Sequence, residues 1–250
     1  FRPFGQNPMQ TVSAPEHKRL IERQGRPVWI TPDPTPEERV RMMARHREQL
    51  RELLSNYGKI DMMCFDIQFN AELWPMMKAT MKEIRQIQPE VMFRNRGIGS
   101  YGDYHTPERE VPTARPEGAM PWMVIYPLGN STSYEENVAA YKGPKWVVTS
   151  LIESVSKGGN FMVGIGPDTT GRFHPKAMAQ LEEVGAWLRI NGEAIFDTHD
   201  RPDDLWREGE SIRFTQADSG KYIYAHLLKR PDAPVVLKTV SVPSGAKIQL

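Results

Sequence analysis

The sequence predicts an α/β fold built on a parallel sheet, giving way near residue 200 to an all-β region, and three features carry that expectation. Strand-like and helix-like segments alternate four times between residues 35 and 191. The strand-like runs are nearly continuous in apolar residues, as in parallel strands covered on both faces, rather than alternating as in a sheet with one wet face. From about Ser211 the pattern changes to short strands separated by Asp/Ser/Gly and Pro-containing turns. Four strand-helix units with right-handed crossovers make either half of an eight-unit barrel or an open doubly wound sheet. A complete barrel takes ~250 residues by itself, so the barrel alternative carries the expectation that an N-terminal half lies outside this chain.

Residues 1–34 are Pro-rich and without period, an irregular approach segment. Thr35-Pro36-Glu37-Glu38 supplies an N-cap, a first-turn Pro and the Glu of a capping box, opening a helix that runs to about Asn56 and ends at Tyr57-Gly58-Lys59. Ile60 to Phe65 is the first strand. Leu73, Met77, Thr80, Ile84 and Ile87 keep the helical period of the next helix, which Gln88-Pro89 stops before a strand at Val91 to Arg94. After a long loop, residues 97–120, come a strand at Trp122 to Tyr126, a helix at Lys145 to Ser156 closing on Lys157-Gly158-Gly159, and a strand at Asn160 to Ile165. Pro175 opens a last helix with Met178, Leu181, Val184 and Leu188 facing inward and Asn191-Gly192 at its end. Short strands are expected at Ser211–Thr215, Lys221–His226, Val235–Val240 and Ala246–Leu250. The domain division is 1–200 and 201–250.

Composition narrows the function. The 250 residues are 39% apolar and 25% charged, with 32 basic against 31 acidic residues spread along the chain. No basic block suits nucleic acid, and no run approaches the ~18 apolar residues of a membrane span. Cys64 is the single cysteine, read as a packed thiol inside a strand, so no internal disulfide can form. His17, His46, His105, His174, His199 and His226 show no metal-ligand spacing and read mostly as surface or helix-end residues. Neither metal nor cofactor is expected.

In parallel α/β folds the reacting groups stand where strands end and loops begin. Those places hold Asp66, Asn95 with Arg96, Tyr126, and Gly166 with Asp168. Asp66 could merely cap the following helix, but that helix begins several residues later, near Glu72. The loop NRGIGSYGDYHTPERE adds Asp103, His105, Glu108 and Glu110. Two carboxylates from strand ends and loops are the minimum for cleaving a glycosidic bond with retention, one attacking the anomeric carbon and the other protonating the leaving oxygen. A nucleotide- or phosphate-binding protein is the competing class, suggested by Gly97-Ile98-Gly99 and Gly164-Ile165-Gly166. The third glycine of a dinucleotide fingerprint is replaced by Thr169, no Gly-Lys-Ser/Thr follows, and Pro167 removes a backbone donor.

The segments YGKIDMMCFD, FRNRGIG, GDYHTPE, SKGGNFMVGIGPDTTG and AWLRINGEAIF occur in the order seen in the α-L-fucosidases of glycoside hydrolase family 29, and residues 36–198 resemble that family. The resemblance implies the C-terminal half of a (β/α)8-type barrel over 1–200 and the start of a β-sandwich from 201. It implies a retaining double displacement acting on fucosylated glycans, with Asp66 as nucleophile and Glu108 as acid/base, without a cofactor. Arg96 falls on a sugar-binding arginine whose fork of donors suits adjacent hydroxyls, its alternative being a strand-end surface arginine. Trp122 falls on a strand-opening tryptophan that could face the sugar's methyl or simply pack in the core. Tyr134 falls on a tyrosine beside the family's pocket, and His105 lies near the proposed acid/base Glu108. The family's histidine-bearing strands belong to the other half of the barrel. A secreted, periplasmic or lysosomal setting goes with the family. Two departures stand out: Cys64-Phe65-Asp66-Ile67 replaces Trp-Phe-Asp-Gly, and Trp122-Met123-Val124 replaces Trp-Glu-Thr. They admit a further reading, a carbohydrate-binding relative with impaired catalysis.

Overall fold

The computed structural model describes residues 35–66, 71–118, 120–241 and 245. The approach segment 1–34, His17, Ile67 and the expected strand Ala246–Leu250 lie outside them. The chain forms two compact units, Phe1–His105 and Thr106–Leu250.

In the first unit, helix α1 (Pro36–Asn56) opens as its sequence dictates: Glu38 N donates to Thr35 Oγ1 at 3.2 Å and Thr35 N donates to the Glu38 carboxylate at 2.8 Å. This reciprocal pair satisfies donors that no helical carbonyl can reach. Strand β1 (Met62–Met63) runs parallel to β2 (Met92–Phe93) in the register Met62↔Met92 and Met63↔Phe93, with α2 (Trp74–Ile87) between them in sequence. Met43, Leu50 and Leu54 of α1 meet Met77, Met81 and Ile84 of α2 and Phe65 and Phe93 of the strands in one buried core. One side chain ties the pieces together. The Gln88 amide donates to Leu54 O (2.6 Å) and Gly58 O (2.9 Å), and its oxygen accepts from Ile60 N (2.9 Å). The end of α1, the turn after it and the start of β1 are thereby pinned to the end of α2.

The sequence predicts a first strand covered on both faces, and the structure corrects this. Strand side chains alternate, so Met63, Phe65 and Phe93 turn to the helices, while Met62 (44% exposed), Met92 (41%) and the exposed Cys64 turn the other way. The face is open at these three positions. Cys64 is therefore an exposed thiol rather than a packed one.

In the second unit β3 (Met123–Pro127) pairs in parallel with β4 (Asn160–Gly164), Met123 opposite Asn160 through Pro127 opposite Gly164. Helices α3 (Pro144–Val155) and α4 (Pro175–Asn191) pack on this pair through Val147, Ala177 and Val184, joined by Phe161, Val163, Leu181 and Leu188. Met178, expected to face inward, is exposed. Gly158 takes the left-handed conformation (φ 80°) after α3, the termination that its sequence predicts. Lys157 is buried there instead of lying on the surface: it bonds Glu153, which also meets Arg213 at 2.8 Å, and its ammonium lies 5.0 Å from the Trp206 ring.

An antiparallel sheet completes the unit. Strand β7 (Ile212–Ala217) is flanked by β5 (Thr198–Asp200), β6 (Arg207–Glu208) and β8 (Ile223–Leu227). The expected strand Val235–Val240 does not form, because its donors go to a side chain: the Glu208 carboxylate accepts from Lys238 N (2.9 Å), Thr239 N (2.6 Å) and Thr239 Oγ1 (2.5 Å). Those bonds hold Glu208 below the ordinary carboxylate range against the opposing effect of burial.

His226, one of six histidines expected mostly at the surface or at helix ends, is 8% exposed. Thr215 Oγ1 donates to Ala194 O at 2.7 Å, so it accepts from His226 Nε2 at 2.9 Å. Burial pushes the His226 pKa from 6.5 down to about 4. The unfolded chain therefore binds a proton between these values that the folded chain refuses, and the stability present above pH 6.5 is lost as pH falls toward 4. The loss expected from His226 is about 3 kcal/mol, measured as denaturation midpoints across that window, with His226→Gln giving the flatter curve.

Candidate active site

The parallel register of β1 and β2, continued past the strands, sets Cys64 beside Arg94 and Asp66 beside Arg96. All four have even numbers, as do Met62 and Met92, so they share the face turned away from the helices. The Asp66 side chain is 74% exposed, and Arg96 Nη1 lies 2.5 Å from its Oδ1. Arg94 Nη1 reaches the same oxygen at 3.5 Å from a guanidinium only 6% exposed. Arg94 was not among the residues the sequence singled out. The signal for it is the shared parity of 64, 66, 94 and 96.

The loop after β2 is built to return to the strands. Asp103 Oδ2 accepts from Phe93 N and Arg85 Nη2, both at 2.8 Å, which makes Asp103 a clasp rather than a reacting group. Gly102 lies where an added Cβ would stand 2.3 Å from Asn95 Cα, so only glycine lets the chain pass. Gly97 and Gly99 take positive φ around the fully buried Ile98, forming a packed turn. The loop delivers Tyr104, whose hydroxyl contacts Cys64 Sγ at 3.4 Å and Met63 O at 3.3 Å, and then the half-buried His105. Burial, and next the contact with Cys64, push the Tyr104 phenol far above its usual range.

In the second unit Glu108 is exposed, but its backbone is registered against β3: Ile125 N donates to Pro107 O at 3.0 Å and Arg109 N to Ile125 O at 2.9 Å. Arg109 immediately follows at φ 58°, an unusual conformation for a side chain of its size. Trp122 lies at the start of β3, 5% exposed, with its indole where a Cβ on Gly159 would be 2.4 Å away. This is the packing alternative for Trp122, at the opposite end of the strand from Pro127. Tyr126 turns to α3, edge-on to Trp146, and the Lys142 ammonium above both rings bonds the carbonyls of Pro127, Leu128 and Gly129. Asp168 organises its own turn, accepting from Thr170 N and Oγ1 and from Arg172 N, bonds that lower its pKa.

Tyr134 lies half-buried on the loop that crosses the end of β4, its ring centroid 6.1 Å from that of His174, and His174 itself caps α4 by accepting from Lys176 N. Asp66, Arg96 and His105 thus fall in the first unit, and Glu108, Trp122 and Tyr134 in the second. No group of three or more His, Cys, Asp or Glu among the described residues could hold a metal ion, and no helix among them is long and apolar enough to cross a membrane.

These features define a mixed α/β protein whose polar groups gather at the ends of parallel strands and on the loops registered to them. The model of the α-L-fucosidase family matches residues 19–193. The plasma α-L-fucosidase of Homo sapiens is 33% identical over 114 residues, covering 44% of this chain and 23% of that protein. Among solved structures, α-L-fucosidase isoenzyme 1 of Paenibacillus thiaminolyticus is similar with a TM-score of 0.73 and 30% identity over 89% of this chain and 53% of that one. The α-L-fucosidase of Vibrio sp. strain EJY3 is similar with a TM-score of 0.64 and 26% identity over 74% of this chain and 33% of that one. The chain belongs to the α-L-fucosidase family. It spans about a quarter of the curated relative's length and about half of the first structural one's.

The loop bearing Tyr134 depends on Gly166. A Cβ there would stand 2.2 Å from Ser133 C and 2.4 Å from Tyr134 N, both backbone atoms that cannot swing aside. Gly166→Ala is expected to lower stability by about 1–3 kcal/mol through overpacking. Thermal denaturation reads the loss, and Tyr134 fluorescence quenching in a variant retaining only that loop's tyrosine reads the loop displacement.

Proposed function

We propose that this chain carries the catalytic carboxylates of a retaining glycosidase that releases α-L-fucose from fucosylated glycans. The observation that carries the reading is Asp66 at the end of β1 with guanidinium groups on its Oδ1, in a chain of the α-L-fucosidase family. Asp66 attacks the anomeric carbon and the glycosidic bond breaks, the leaving oxygen taking its proton from Glu108. Glu108, now the base, takes a proton from water, which attacks the same carbon and frees Asp66. Arg96 contributes donors to the sugar, with His105 and Tyr134 at its periphery. Residues 1–200 supply strand-helix units of a (β/α)8-type barrel, and residues 201–250 open a β-sandwich domain. The word plasma in the human relative's name supports a secreted setting.

The test is an aryl α-L-fucoside offered to the full-length protein and to its variants. Asp66→Ala is expected to lower turnover by about a thousandfold or more, with azide restoring part of it as fucosyl azide. Glu108→Ala is expected to cost about 10²–10⁴-fold, less for leaving groups that need no proton. Parent turnover that survives Asp66→Ala would overturn the assignment. A parent that binds fucose without cleaving the aryl fucoside would establish the impaired, carbohydrate-binding relative instead.

A further inference from the structure

We infer that Arg94 is a positioning residue which fixes the Asp66 carboxylate so that Oδ1 is engaged and Oδ2 is the oxygen presented for attack. The inference rests on the reading of Asp66 as nucleophile and adds a residue to it. Arg96 already gives Asp66 a partner, so charge neutralisation by itself leaves the second arginine unexplained. The burial of Arg94 sharpens the point. Its side chain is 6% exposed, its Nε has no acceptor among the described residues, and the one carboxylate it meets among them is Asp66, at 3.5 Å. Its other side-chain contact is the Cys64 sulfur at 3.9 Å, a weak acceptor. Burying a guanidinium with so few acceptors is costly, and a simple packing position would be better filled by an apolar side chain.

The surroundings fix the backbone from which this guanidinium projects. Arg94 N donates to Met63 O at 3.0 Å, the chain at Arg94 bridges to Tyr104, and the Tyr104 hydroxyl closes the ring onto Cys64 Sγ and Met63 O. Two guanidinium groups therefore approach Oδ1 from two strand positions, Arg96 as a hydrogen-bond donor and Arg94 as an ion pair, which restricts rotation of the carboxylate about its terminal torsion. In a double displacement one carboxylate oxygen bonds to the anomeric carbon while the other keeps the carbonyl, so a donor fixed on the second oxygen orients the first. Arg94 does this through Asp66 and needs no contact with the sugar.

The experiment uses the full-length protein and an aryl α-L-fucoside, in two backgrounds. With Asp66 intact, Arg94→Met is expected to lower kcat by about a hundredfold with KM changed less than about threefold, and Arg94→Lys by an intermediate amount. In the Asp66→Ala background azide enters as the nucleophile and there is no carboxylate to orient, so azide-rescued rates with and without Arg94→Met are expected to agree within about threefold. A parental kcat in Arg94→Met overturns the inference, and so does an equal loss in the azide-rescued background, which would mark Arg94 as a packing residue. Should Arg94→Met fail to fold, Arg94→Lys carries both comparisons, and failure of both to fold makes Arg94 a residue of the fold and overturns the inference. An inactive parent, or one indifferent to Asp66→Ala, overturns the fucosidase reading together with it, whereas an Asp66-dependent parent indifferent to Arg94 overturns the inference alone.

Discussion

Side chains of a parallel strand pair alternate between two faces, and in the first unit this alternation decides both what packs against the helices and which charged groups meet on the other side. With Met62 opposite Met92 and Met63 opposite Phe93, the strand positions 63, 65 and 93 turn apolar side chains to the helices while 62, 64 and 92 point away. Moving the register by one residue would exchange the two sets: Phe93, fully buried, would come out, and Asp66 would be driven into the core beside Ile84 and Met77. The ion pair of Asp66 with Arg96 is thus a consequence of the packing of Phe65 on Phe93, whose rings stack with centroids 5.6 Å apart. Gln88 guards the same register from the other end, since its amide joins the start of β1 to the end of α2.

The second unit is joined by a different device. Glu153 of α3 stands between Lys157 and Arg213, and Trp206 lies under both cations. The two ends of this cluster are shifted in ways that look opposed. Burial pushes the Lys157 ammonium down, and Arg213 adds to that, while Glu153 is held below the ordinary carboxylate range although burial alone would raise it. The asymmetry follows from the count of charges: the carboxylate has two cations on it, whereas each cation has one carboxylate and a like-charged neighbour. Such a cluster adds little net stability over an apolar one of the same shape, yet losing a single member would leave the others buried without partners. Its effect is to specify how α3 meets β7.

The sequence made the helices legible because their ends carry local chemistry: the Thr35 capping box, Pro at the first turn of α4, and glycine after α3 all act within a few residues. Residues whose placement depends on distant partners were harder to read. The apolar strand runs implied two covered faces, but Met62 and Met92 show that apolar composition does not by itself supply a covering layer. Val235 to Val240 has the composition of a strand, and its donors were claimed by Glu208, some thirty residues away in sequence. Asp66 and Arg96 were found because each sits at a strand end. Arg94 escaped because it lies inside the FRNR run, where only the register and parity of β2 against β1 separate a buried arginine from a surface one.

Glu108 shows how a loop residue can be placed as firmly as a strand residue. Its neighbours Pro107 and Arg109 both bond Ile125, so the backbone on either side of the carboxylate is measured off against β3. The turn to φ 58° at Arg109 then lets the chain leave the strand directly after that register point. A non-glycine residue held there costs stability of order 1 kcal/mol, and the cost is sustained because the two bonds to Ile125 fix the backbone on the other side. Both proposed reactive carboxylates, Asp66 in one unit and Glu108 in the other, therefore take their positions from backbone pairing within a parallel strand system. Neither position depends on the conformation of a free loop, which is the condition for holding a reacting atom to within a fraction of an ångström.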